Sequence, residues 1–150
     1  MTTKKPAKTT VARSKGAQVK KPAPQAGTVR VAAIQMASGP SVPANLAETE
    51  RLIELAVEGG ARLVVLPEFF CIMGMKDADV VKAREAEGDG PIQAFLSRMA
   101  KKHKIWLVGG SVPLEASAAS KVRNSCLVYD ERGKQVARYD KIHLFGLDLG

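Results

Sequence analysis

The sequence predicts an α/β domain built on a mixed β-sheet with helices over at least one face, and three observations carry that expectation. Apolar runs at residues 29–36 and 62–66 flank an amphipathic helical pattern. A second helical pattern opens at Pro91 and leads into another apolar run at 105–108. Two strand-like runs, 125–129 and 135–139, then follow one another across a short turn. The chain therefore begins as β-α-β-α-β and closes on adjacent strands. With 150 residues, 45% hydrophobic and 25% charged, it has material for one core-bearing domain and not for two.

Each element has a local reason. Residues 29–36 are short, apolar and bounded by Ser38-Gly39-Pro40, the form of a buried strand. Asn45 with Glu48 three residues on resembles a capping box, and Leu46, Leu52, Ile53, Ala56 and Val57 share one face. Gly59-Gly60 supplies the stop. Residues 62–66 give a second buried strand and complete a βαβ unit. Gly88-Asp89-Gly90-Pro91 is a turn that puts proline at the first helical position, after which Ile92, Phe95, Leu96 and Met99 follow at helical spacing. The basic end of that helix, Arg98, Lys101, Lys102 and Lys104, suits its negative pole without a ligand. Asp130-Glu131-Arg132-Gly133 joins the last two strands as a hairpin.

The net charge of +8 belongs to one end. Residues 1–30 hold eight Lys/Arg and no acid, which leaves 15 basic against 15 acidic residues in 31–150. Residues 1–28, rich in Lys, Ala, Thr and Pro, are expected to form a disordered basic tail, with the domain spanning 29–150. Lys4, Lys5, Lys8, Arg13, Lys15, Lys20 and Lys21 could contact phosphates, but no aromatic residue stands among them to stack on bases. Nucleic acid is therefore not the expected partner, and a nucleic-acid-binding tail is the third reading. No apolar run approaches the ~20 residues of a membrane span. Two cysteines, Cys71 and Cys126, cannot build a disulfide framework, so a reducing cytoplasm is the expected compartment.

Phosphate-loop, dinucleotide and zinc-protease motifs are absent, and His103 and His143 stand forty residues apart without a ligand pattern. No metal or organic cofactor is expected. Gly109-Gly110 reads as close backbone packing after a strand. Two positions remain. Glu68, in Leu66-Pro67-Glu68-Phe69-Phe70, follows a buried strand among large apolar residues, where partial desolvation would raise its pKa toward neutrality. Its bland alternative is a strand-end carboxylate that reaches solvent. Lys141, in Tyr139-Asp140-Lys141-Ile142-His143-Leu144-Phe145, leaves a strand in an apolar setting, where a snorkelling surface lysine is the bland alternative.

Together these motifs resemble the nitrilase superfamily of carbon–nitrogen hydrolases, and among its branches the Nit-type amidases. The resemblance covers residues 29–150: the opening 31–36, Gly60-Ala61 before 63–69, Gly90-Pro91, 108–111, Asn124-Ser125 with 127–130, and 139–145. It implies the N-terminal half of an α-β-β-α sandwich, a Glu-Lys-Cys triad, a small carboxylic acid amide as substrate, and a homodimer or larger assembly. By motif, Glu68 would be the general base and Lys141 the cation that stabilises the oxyanion.

The departure is the nucleophile. The family's cysteine lies well downstream of the lysine motif, and no cysteine follows Lys141 here. Cys71, three residues from Glu68 and so pointing to the opposite face of an extended segment, and Cys126, read as a small buried hydrophobe, are not expected to replace it. His143 is expected to pack or to hydrogen-bond locally. The sequence thus implies a fragment that is inactive alone. A second reading, from a different class, is an interaction protein that binds a full-length homologue or a complementing half.

Overall fold

The computed structural model describes residues 27–143. The expected tail, apart from Gly27 and Thr28, lies outside them, as do Leu144 and Phe145 of the lysine motif. In chain order the elements are β1 (Val31–Ala33), α1 (Val42–Glu58), β2 (Leu63–Val65), α2 (Asp77–Lys82), α3 (Pro91–His103), β3 (Trp106–Val108), β4 (Val112–Glu115), β5 (Val122–Tyr129) and β6 (Gln135–Asp140). They form the expected mixed sheet. β1 pairs with β2 and β2 with β3 in parallel, whereas β3, β4 and β6 all pair with β5 antiparallel.

Helices α1 and α3 pack side by side over one face. Ile53 from α1 and Phe95, Leu96 and Met99 from α3 meet Val64, Leu107 and Leu127 of the sheet in one buried cluster. Along β5 the period-2 alternation is clear: Ser125, Leu127 and Tyr129 are buried beneath the helices, and Asn124, Cys126 and Val128 look out from the other face. No helix covers that second face among the described residues, and Val31, Trp106 and Tyr139 stay exposed.

Three local features differ from expectation. Helix α1 starts at Val42, because Ser41 caps it with its Oγ accepting from the Ala44 N–H and Pro43 sits in the first turn. Asn45 is buried instead. Its Oδ1 accepts from the Gly39 N–H, and its Nδ2 donates to the carbonyls of Gly39 (2.8 Å) and Cys71 (2.9 Å). Glu48 pairs with Arg51 on the surface rather than capping.

Second, α2 appears where no signal stood. It starts with Lys76, a poor cap, and Asp79 compensates by accepting from the Met75 and Lys76 N–H groups through Oδ2. Third, β4 is a strand despite Pro113, which is tolerated because β4 ends the sheet path and Pro113 turns its carbonyl away from β5 toward the irregular segment at Glu85, so that no ladder bond to β5 needs its missing N–H. There the Pro113 carbonyl accepts from the Glu85 N–H (3.0 Å), and the Glu115 N–H donates to the Glu85 carbonyl (3.0 Å).

Two bulges adjust the register. Val108 faces Val128 and Val112 faces Ser125, so Gly109, Gly110 and Ser111 oppose only Cys126 and Leu127. In the β5–β6 hairpin, closed as expected through the 130–133 turn, Val128 pairs with Ala137 but Tyr129 with Gln135, leaving Val136 as an extra residue.

Candidate active site

Glu68 stands on a short arch that follows β2 and is pinned from three sides. The Leu66 N–H donates to the Val108 carbonyl (2.9 Å), and the Phe69 N–H donates to Ser111 Oγ (2.8 Å). Beyond the arch, Ser38 Oγ donates to the Phe70 carbonyl and Asn45 holds the Cys71 carbonyl, while Phe70 and Cys71 sink into the core. Phe69 itself takes a left-handed backbone (φ 55°), an uncommon state for a bulky residue, with a cost of order 1–3 kcal/mol that its surroundings offset. Gly110 explains how close the arch comes. It too is left-handed (φ 55°), and a Cβ there would stand 2.0 Å from the Pro67 carbonyl oxygen. Gly109 would meet Leu96 and the Leu127 carbonyl, so both glycines serve close packing, as their sequence suggested.

Lys141 reaches the same place through the sheet register. Its N–H donates to the Asn124 carbonyl (2.9 Å), which continues the β5–β6 ladder by one pair and puts both side chains on the face away from the helices. There Lys141 Nζ donates to Glu68 Oε1 at 2.9 Å and Asn124 Nδ2 donates to the same oxygen at 2.7 Å. Neither bond uses Oε2. The structure thus brings together Glu68 and Lys141, which sequence reasoning singled out, and adds Asn124, which the sequence marked only as part of the Asn124-Ser125 stretch of the resemblance and gave no role.

The electrostatics differ from the sequence expectation. The Glu68 side chain is 49% exposed, and its carboxyl is held below the ordinary carboxylate range, first by the Lys141 hydrogen bond and also by that from Asn124. Desolvation opposes this and loses, because the carboxylate sits on the open face of the sheet.

The pair borders a cavity of about 400 Å³ that is also lined by Gly110, Ser111, Asn124, Cys126, Tyr139 and His143. A second cleft of about 710 Å³ shares Glu68, Asn124 and Lys141 and is walled by Phe69, Val80, Val81, Pro113 and Val122. Cys126, expected to be buried, is half-buried and lines the first cavity; its thiol is pushed up by burial. Cys71 is fully buried. Its Sγ donates to the Ser111 carbonyl (3.6 Å), and burial pushes the thiol to about 12. Neither environment favours a thiolate. His143, expected to pack or to hydrogen-bond locally, is exposed at the cavity rim. Among the described residues no three His, Cys, Asp or Glu side chains gather as metal ligands.

A family model described as carbon-nitrogen hydrolase matches residues 30–149. The deaminated glutathione amidase of Synechocystis is 36% identical over 119 residues, covering 79% of this chain and 43% of its own. Omega-amidase NIT3 of Saccharomyces cerevisiae is 34% identical over 129 residues, covering 81% and 43%. The chain therefore spans less than half the length of these curated relatives.

Among solved structures, yeast Nit3, a member of branch 10 of the nitrilase superfamily, superposes with a TM-score of 0.63 at 32% identity, covering 71% of this chain and 41% of its own. A mutant of the amidase from Nesterenkonia sp. AN1, showing the result of Michael addition of acrylamide at the active-site cysteine, does so with 0.65 at 25% identity, covering 80% and 46%. By the matched family model, by sequence identity and by fold, the chain belongs to the carbon-nitrogen hydrolases of the nitrilase superfamily.

Proposed function

We propose that these residues supply the general base and the oxyanion-facing cation of an amidase that converts a small carboxylic acid amide, an omega-amide among them, to acid and ammonia. The observation that carries this reading is the shared hydrogen bonding of Glu68 Oε1 by Lys141 and Asn124, which leaves Oε2 to take a proton. A carboxyl held low is ionised at neutral pH, the state a base requires.

In the reaction, Oε2 takes the proton of a cysteine thiol, and the sulfur electron pair forms a bond to the amide carbon. The carbonyl π pair moves onto oxygen, where the Lys141 ammonium opposes the new negative charge. As the adduct collapses the C–N bond breaks, and the leaving nitrogen takes the proton from Glu68 and departs as ammonia. A thioester remains. Glu68 then takes a proton from water, the resulting hydroxide attacks, the C–S bond breaks, and the thiolate recovers the proton as the acid leaves.

In this reading the thiol lies outside these 150 residues, because the environments of Cys71 and Cys126 both disfavour the thiolate. It comes from further chain or from a complementing chain that carries the cysteine. A second reading, a catalytically inactive chain that binds a homologue, is favoured by the apolar side chains on the uncovered sheet face, Val31, Trp106 and Tyr139.

Ammonia release from omega-amides tests the first reading. The polypeptide isolated from its own source should be active and should lose roughly 10²–10⁴-fold in E68Q and in K141A. The 150-residue chain alone should be inactive. Turnover by that chain, or full activity in E68Q, would overturn the proposal.

A further inference from the structure

Asn124 is the one side chain that touches Glu68 without having been suggested by either motif, and it is attached to both halves of the pair. Its Nδ2 lies 2.7 Å from Glu68 Oε1, and its backbone carbonyl accepts the Lys141 N–H at 2.9 Å. Glu68 reaches the site from the far end of β2, 56 residues away in sequence, on an arch whose other ties hold its backbone and not the carboxylate. The carboxylate plane is therefore set by whatever holds its oxygens. Two donors on Oε1 fix that plane, whereas Lys141 alone, on a flexible four-carbon stem, could swing between the two oxygens.

We propose that Asn124 is a positioning residue of this site. Its side-chain amide holds Glu68 Oε1, and so turns Oε2 to the cavity, while its carbonyl sets Lys141 in register. The inference rests on the reading of Glu68 as a base, but the contact itself can be examined without catalysis.

The test is carbon-detected titration of the Glu68 carboxyl in the 150-residue chain. In wild type the Asn124 side-chain amide resonances should titrate with the Glu68 midpoint. That midpoint should move up in N124A and N124L, which remove the donor with and without loss of bulk, and in K141A. An Asn124 amide blind to Glu68 in the wild-type protein overturns the proposal, whatever the variants do. So does a folded N124A or N124L in which Glu68 titrates as in wild type while K141A shifts it. In the active polypeptide, the acid limb of the pH–rate profile should move up with N124A, a change that a purely structural role would not produce. Absence of amidase activity would count against the base reading, and the titration would still decide the role of Asn124.

Discussion

Gly110→Ala is the substitution whose cost the geometry specifies most completely. An added Cβ would stand 2.0 Å from the Pro67 carbonyl oxygen, and ordinary contact begins at 3.4 Å, so the arch must retreat by about 1.4 Å. That retreat breaks the Leu66-to-Val108 bond (2.9 Å) and the Phe69-to-Ser111 bond (2.8 Å). Each contributes about 1 kcal/mol, and a side chain at φ 55° adds about 1 kcal/mol more, for a loss of about 3 kcal/mol. For a folded core of this size the melting midpoint should fall by roughly 10 °C.

Gly109→Ala is the control. Its obstacles are a Leu96 methyl at 2.7 Å and the Leu127 carbonyl at 3.0 Å, both farther than the carbonyl at 2.0 Å that Gly110 faces, and its φ is not positive, so its cost should be smaller. Urea unfolding followed by the fluorescence of Trp106, the single tryptophan, reads both variants. A Gly110→Ala loss under 1 kcal/mol, or one no larger than that of Gly109→Ala, would refute the account of how the arch is held. The same retreat separates Glu68 from Lys141, so the Glu68 carboxyl should titrate higher in Gly110→Ala than in wild type.

Glu85 is buried and accepts from the Ile92 N–H (2.6 Å), the Gln93 N–H and Gln93 Nε2 (both 3.1 Å) at the start of α3; E85A should cost about 2–4 kcal/mol by urea unfolding, and E85Q less because one acceptor remains. Alkylation with iodoacetamide, read by mass spectrometry, should reach half-buried Cys126 well before Cys71, whose thiol is raised to about 12 and reacts only on opening. The Glu68 carboxyl is lowered in the folded state, so its attraction to Lys141 is present above the unfolded carboxyl value and lost as pH falls through the folded one. Because the pair is half exposed, the effect on stability should stay under about 1 kcal/mol and should shrink in K141A, where only the Asn124 hydrogen bond still holds the carboxyl low. Lys102 bridges Glu50 and Glu54 on the surface, and K102A should be near neutral in thermal melts and nearer still at high salt.

The sequence carried the parts of this fold that depend on near neighbours. The Pro91 start of α3, the 130–133 hairpin and the apolar runs of β2, β3 and β5 all formed where local pattern placed them. What it did not carry depends on partners far along the chain. Residues 112–115 carry no strand signal that local pattern picks out, and β4 forms because β5 and the distant backbone of Glu85 flank it. Asn45 and Glu48 imitated a cap, but the pull on Asn45 comes from the Cys71 carbonyl, 26 residues away. Glu68 and Lys141 were found because each lies in a distinctive motif. Asn124 and the downward direction of the Glu68 pKa were missed because both arise only when three strands bring their ends together.

The extra residue at Val136 decides the sign of the charge that Glu68 meets. With it, Ser125 faces Asp140, whose Oδ1 accepts from the serine hydroxyl beneath the helices, and Lys141 falls opposite Asn124. A plain ladder continued from the Tyr129–Gln135 pair would instead shift β6 by one place and set Asp140 opposite Asn124. A carboxylate would then face the Glu68 carboxylate, and the ammonium would leave that face of the sheet for the side on which the exposed Arg123 stands. A residue gained or lost in the paired part of β6 has to be matched by a second change that restores the count, or an attraction at this corner becomes a repulsion.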